Sequence, residues 1–257
     1  MNLSALSYDE VEDILAEGAV ALWPIGSTEA HGPHLPLDTD VIIARTTAER
    51  AVPVIEAQTK LRALVLPALP YTVTDFVGPF RGTLSLPRET ALALVRDTAR
   101  AAADQGFLAV CLVNAHLEPA HRFMLRDAVK AANLEARCPI GIADPADARF
   151  AQSLTPEFAS GSCHAGQYET SLVMAADRTR VRGDAQRALP RVDIDLVREI
   201  KAGKKTLDEA GGRAAYCGAP AAASAAEGEA SYARLVEIVT TVVGELLSQR
   251  GAKGETR

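Results

Sequence analysis

The chain has 257 residues, 48% of them hydrophobic and only 5% aromatic, enough to bury the core of one large α/β domain and too apolar for a disordered protein. A formal net charge of -6 without a single basic run argues against nucleic acid as partner, because neutralising phosphates needs a basic face. No uncharged apolar run approaches membrane-spanning length and the N-terminal stretch is acidic, so a soluble, cytoplasmic protein with no membrane partner is expected.

Residues 7–17 read as a helix, with Ser7 as N-cap and Glu10 completing a capping box. Residues 19–24 form a short buried strand ending in a Gly-containing loop. Helical spacing returns over 40–57, with Asp40 at the mouth of the helix. Residues 63–66 read as a second strand, followed by a long Pro/Gly-containing loop to about residue 86. Residues 87–105 form a helix with Pro87 in its first turn and Gly106 as its stop. The run FLAVCLVN, 107–114, is a continuous apolar strand bounded by turn signals. Helices over 119–133, 164–176 and 227–249 and a strand over 140–143 complete the assignment. The stretch 179–225, rich in Ala, Gly and Arg, carries no clear pattern. Residues 1–250 are expected as one domain, with 251–257 as a frayed tail.

Strands alternating with helices predict a three-layer α/β/α sandwich around a mainly parallel sheet. Ligands of such sheets sit outside the carboxyl ends of the strands. Cys111, Cys138, Cys163 and Cys217 are widely spaced without a CxxC pair, so they read as reduced thiols, not as a zinc ribbon or disulfide framework.

All five histidines fall in three short segments, and each segment also holds a carboxylate: GSTEAHGPHLPLDTD (26–40), NAHLEPAH (114–121) and HAGQYETS (164–171). Gathered imidazoles and carboxylates at strand ends suit a divalent cation such as Zn, Mn or Fe. Glu29 and His31, one residue apart, fall on the same side of an extended loop. Asp40 lies where a helix dipole favours a carboxylate and is placed to bridge two cations; taken alone it reads equally as an N-cap. Asn114 is a turn former, and His116 and Glu118 alternate after it. Glu118 is either a ligand or an ordinary first-turn acid of the next helix. His121 is assigned to a helix surface. His164 suits a general acid or substrate hydrogen bonder, since its charge switches near neutral pH. Glu169 is open between a capping or core role and a functional one. Tyr168 and Ser85 are candidate substrate contacts, Tyr168 equally a core residue.

These three segments, with GTLSL (82–86) between the first two and YCGAPAAASAAEGEA (216–230) near the end, resemble the creatininase family of metal-dependent amidohydrolases over nearly the whole chain. The resemblance implies an α/β/α sandwich assembled as a homo-oligomer, often a hexamer. It implies one cation on Glu29, Asp40 and His116. A second would sit on His31, Asp40 and a glutamate, giving two divalent cations per subunit with Asp40 bridging. Glu118 occupies the place of the second-metal glutamate in the creatinine-cleaving members; many others have glycine there, which brings Glu169 into contention. His164 matches a histidine that assists catalysis. Ala30 and Ala115 stand where the family usually has Gln and Gly, and residues 159–163, shortly before His164, hold no tryptophan where the creatinine-cleaving members have one, so creatinine itself is not the expected substrate.

The function expected is a metal-dependent hydrolase cleaving a C–N bond, other than a peptide bond, in a small amide, cyclic or open, by a metal-activated water. Glu118 or Glu169 would bind the second metal or take the proton, and His164 would serve the leaving nitrogen or the carbonyl. Two other classes use the same residues. One is a C–C or ring-opening hydrolase or lyase on a polyol-like ketone; the other is a non-catalytic metal-binding subunit with a closed coordination shell. No GxSxG elbow supports a serine hydrolase.

Overall fold

In β1 (Ala19–Ile25) every residue is buried. Val20 and Leu22 point into one hydrophobic cluster, with Ile43, Ile55, Leu172 and Val239. Ala19, Ala21, Trp23 and Ile25 point into a second, with Val95, Ala99, Met124 and Leu125. A strand apolar on both faces belongs inside a parallel sheet covered on both sides. In this computed structural model, which describes residues 1–254, that is its place. With β2 (Arg62–Val65), β3 (Ala109–Asn114) and β4 (Ile140–Ala143) it forms a four-stranded, all-parallel sheet in the order β2-β1-β3-β4.

The helices are α1 (Tyr8–Glu17), α2 (Thr39–Thr59), α3 (Arg88–Asp104), α4 (Pro119–Ala132), α5 (Pro156–Ser160), α6 (Gln167–Asp177), α7 (Gly183–Ala188), α8 (Leu196–Lys201) and α9 (Ala225–Gly254). Residues of α2, α6 and α9 pack into the first cluster, and those of α1, α3 and α4 into the second. The three-layer α/β/α architecture expected from the alternating pattern is present. Among the described residues, no helix is long and apolar enough to cross a membrane.

Local signals behave as physics dictates, with a few instructive shifts. Ser7 and Glu10 close the capping box at α1. Pro87 is the N-cap of α3, one place earlier than expected. α6 starts at Gln167, not at residue 164, because Ala165 is left-handed (φ 49) and Gly166 extended, which leaves His164 outside the helix. α9 runs on to Gly254 through Ala252 and Lys253, good helix formers, into the stretch expected as tail; residues 255–257 of that tail lie outside the described residues. The patternless stretch 179–225 holds α7 and α8 among turns.

The strand order has one consequence for function. From β1 the chain crosses one face by α2 to β2, then returns across the other face by α3 to β3 on the far side of β1. The carboxyl ends of β1 and β3 therefore flank a topological switch point, with Ile25 in register with Asn114. The loops leaving these two ends carry the first two histidine segments.

Candidate metal centre

Each segment is held in place by backbone geometry that its sequence requires. A Cβ on Gly26 would lie 2.6 Å from the Val41 nitrogen and 2.8 Å from the Asp40 carbonyl carbon, so only glycine lets the start of α2 close onto the end of β1. That closure carries Asp40, in the first turn of α2, inward. The Glu29 N–H donates to the Leu37 carbonyl (2.9 Å) and ties the loop across its base. After β3, the Asn114 amide donates to the His116 carbonyl (2.8 Å) and accepts from the His116 N–H (3.2 Å), the turn role expected of it. In the third segment the Ala165 N–H donates to Glu169 Oε2 (2.6 Å), turning that carboxylate back toward the strand ends.

The three segments converge on one buried cluster. His31 Nε2 lies 3.2 Å from Asp40 Oδ1, 3.6 Å from Glu169 Oε2 and 3.7 Å from Glu29 Oε1. His116 Nδ1 lies 3.0 Å from Asp40 Oδ2 and 3.4 Å from Glu29 Oε2. Three donor sets have ligand atoms within 4.8 Å of one another: Glu29, Asp40 and His116; His31, Asp40 and Glu169; and Glu29, His31 and His164. Asp40 is common to the first two.

Three buried carboxylates this close repel one another and are costly to desolvate without cations among them. The two imidazoles offset part of that repulsion. Burial would lower both ring pKa values, but Asp40 outweighs it at His31 and raises it to about 10, and Glu29 with Asp40 holds His116 well above the ordinary range. Burial would likewise raise the acids, yet His116 keeps Glu29 and His31 keeps Asp40 below the usual carboxylate range. Burial prevails at Glu169, pushed up to about 8, and at Glu118, pushed up to about 7. His31 Nε2 and Asp40 Oδ2 are buried yet make no hydrogen bond. Mixed imidazole and carboxylate donors, with orphaned lone pairs pointing inward, fit divalent cations such as Zn, Mn or Fe.

The other expected residues fall at graded distances. His164 stacks on His31, ring centroids 4.5 Å apart, and its Nε2–H donates to the Ala30 carbonyl (3.0 Å). Burial pushes its pKa down to about 4, so it is neutral. Glu118 stands at the mouth of α4, accepts the Phe76 N–H (3.1 Å) and lies 4.0 Å from His116 Nε2, outside the three donor sets. Ser85 spends its hydroxyl within the 72–86 loop, donating to Asp75 (2.6 Å) and accepting the Thr74 N–H (3.0 Å). Tyr168 is buried against Phe158, ring centroids 4.9 Å apart, and takes the core option. His121, assigned to a helix surface, is instead fully buried, because α4 turns that face toward Asn114 and the 72–74 segment.

Three functional neighbours carried no sequence signal. Thr74 Oγ1 hydrogen-bonds Glu29 Oε2, the Val73 carbonyl accepts from His116 Nε2 (3.0 Å), and Thr72 Oγ1 meets His121 Nδ1 (2.7 Å). The only trace is the alternation of Thr72 and Thr74, both fully buried in a segment that reads as loop.

A parallel α/β sheet that gathers carboxylates and imidazoles over its switch point defines an enzyme class with cation-binding side chains at the strand ends. The chain belongs to the creatininase family, whose profile, described as creatinine amidohydrolase, matches residues 4–243, and it is a hydrolase. It is 31% identical over 220 residues to the mycofactocin precursor peptide peptidase of Mycobacterium tuberculosis, covering 83% of this chain and 80% of that protein. It is 29% identical over 189 residues to the creatinine amidohydrolase of Pseudomonas putida, covering 66% and 69%. A crystal structure of creatinine amidohydrolase superposes with a TM-score of 0.74 at 23% identity, covering 95% of this chain and 96% of that one. Neighbouring structures include a manganese form of creatininase and a zinc–zinc form of a creatininase variant.

Proposed function

We propose that the chain is a metal-dependent amidohydrolase that cleaves a C–N bond in a small amide, using two divalent cations. One is held by Glu29, Asp40 and His116, the other by His31, Asp40 and Glu169. The observation that carries this reading is the position of Asp40, with Oδ1 3.2 Å from His31 Nε2 and Oδ2 3.0 Å from His116 Nδ1, one oxygen toward each set. The manganese and zinc forms of neighbouring creatininases support Mn or Zn as the ions. Cations bound in such a site lower the pKa of a coordinated water and polarise a carbonyl oxygen.

The chain's own residues then divide the proton work. Glu118, outside the donor sets and held near pKa 7 by burial, accepts a proton near neutrality and returns it. Its Oε2 is oriented by the Phe76 N–H. His164 donates its Nε2–H to a carbonyl, which leaves Nδ1 as a bare acceptor 3.9 Å from Glu29 Oε1. That bare nitrogen is placed to accept a hydrogen bond from an N–H of the substrate.

A peptide substrate is the second reading, favoured by the relative named as a mycofactocin precursor peptide peptidase. Creatinine is disfavoured, because the one tryptophan, Trp23, is buried in β1 with its indole N–H on the Pro67 carbonyl (3.1 Å) and cannot stack on a flat ring. A homo-oligomer in the cytoplasm completes the proposal. The test is a hydrolysis screen with protein reconstituted with Mn or Zn, covering creatinine, formamides, short peptides and inosose-type ketones. Metal-dependent release of amine from an amide supports the reading. Metal binding with every amide inert and a ketone cleaved contradicts it.

A further inference from the structure

The proposed chemistry uses neither His34 nor His121, and for His121 the helix-surface assignment does not hold. His121 is fully buried, and burial drives its pKa well below the ordinary value. A buried imidazole costs free energy unless both nitrogens are satisfied. Here both are: Nδ1 lies 2.7 Å from Thr72 Oγ1 and Nε2 lies 3.0 Å from Asn114 Oδ1.

The direction of every hydrogen bond in this chain follows from the backbone. The His116 N–H can only donate and its carbonyl can only accept, so the Asn114 oxygen faces the first and the Asn114 amide nitrogen the second. His121 Nε2 faces that same Asn114 oxygen, so it carries the hydrogen. Its Nδ1 is then a bare acceptor and the Thr72 hydroxyl donates to it. The next residue, Val73, accepts from His116 Nε2 (3.0 Å), which leaves His116 Nδ1 as the nitrogen turned to Glu29 and Asp40. The His121 ring also packs on the His116 ring, centroids 4.7 Å apart. His116 is thus gripped from two sides, and His121 joins the two grips by bonding both Asn114 and the strand-like segment that supplies the Val73 carbonyl.

We propose that His121 is a positioning residue that fixes the turn and ring orientation of His116, through Asn114 and Thr72, for the cation set of Glu29, Asp40 and His116. The inference rests on reading that set as a metal site. Outer partners of this kind typically change metal affinity or activity by about 10- to 100-fold when removed.

The test is calorimetric titration of metal-free protein with Mn²⁺, comparing wild type with His116→Ala, His121→Leu, His121→Gln and Thr72→Val. Wild type is expected to bind in two steps, and His116→Ala identifies the step that belongs to its set. His121→Leu should weaken that step about 10- to 100-fold and leave the other nearly unchanged. His121→Gln, whose amide offers one donor and one acceptor in the same sense, should recover most of the loss. If His121→Leu does not fold, Thr72→Val, which removes only the hydroxyl donor, is expected to weaken the same step selectively. A purely structural role predicts a lower melting temperature with both steps intact, and that result overturns the proposal. Absence of Mn²⁺ binding by wild type overturns the metal reading itself, an outcome separate from unchanged binding in the variants.

Discussion

Leu22, on β1, and His31, in the loop that follows it, are both withdrawn from solvent, yet burial does opposite things to them. On the sheet, burial is the driving force: each apolar side chain loses water on both faces of a fully covered strand, and packing adds to the gain. At the sheet's carboxyl edge, burial is a cost that geometry must offset. His34, His121 and His164 respond by staying neutral, pushed down by desolvation. His31 and His116 respond by holding protons, because Asp40 and Glu29 stand beside them. A protein spends stability on such an arrangement where chemistry needs it, and the sheet beneath makes that expenditure possible.

The comparison sharpens first through pH. With His31 held to about pKa 10 and His116 also raised, cations entering a neutral solution displace protons, so apparent affinity per site should rise about tenfold per pH unit between pH 7 and 9. Titrations in buffers of different ionisation enthalpy would measure the protons released. The sign reverses for the metal-free protein. The folded pKa of His31 exceeds its unfolded value of about 6.5, so its contribution to stability is complete below that pH and is lost as pH rises toward about 10. Urea melts of metal-free protein should show stability falling over that interval, and metal-loaded protein should not follow.

Core and edge separate next by mutation. Leu22→Ala removes buried apolar volume and should cost about 2–5 kcal/mol in denaturant melts, with Mn²⁺ stoichiometry unchanged in the folded fraction. Gly26→Ala lies at the boundary of the two regions. Its methyl must displace the start of α2, so about 1–3 kcal/mol of stability should be lost together with metal affinity. The smallest effect is expected far from both: Ser7→Ala opens the capping box of α1 and should cost about 1 kcal/mol with metal binding untouched. Weakened metal binding in Ser7→Ala would blur the distinction between fold and site.

The same contrast explains what could be read in the sequence. β1 and β3 were legible because strands buried on both faces write continuous apolar runs, and the three histidine segments because imidazoles and carboxylates cluster rarely by chance. Asp40 was legible as a helix-mouth acid placed to bridge two cations, but the contact that carries it inward was not, since that depends on Gly26 letting α2 close onto β1. The choice between Glu118 and Glu169 beside His31 was hidden too. It turns on the left-handed Ala165, a conformation alanine does not advertise, which leaves His164 outside α6 while the Ala165 N–H holds the Glu169 carboxylate. His121 was misplaced because its partners, Thr72 and Asn114, lie in a loop without periodicity and at a strand end, and a single histidine in a first helical turn reads as exposed.

The most direct test of the shared-carboxylate centre is the metal content of Asp40→Ala. Wild type, loaded with Mn²⁺ or Zn²⁺ and freed of excess, should carry two ions per chain. Asp40→Ala, shown to be folded by circular dichroism, should lose both together, with hydrolysis, because each donor set keeps only two of its three ligands. Retention of two ions per chain in that variant would contradict the account.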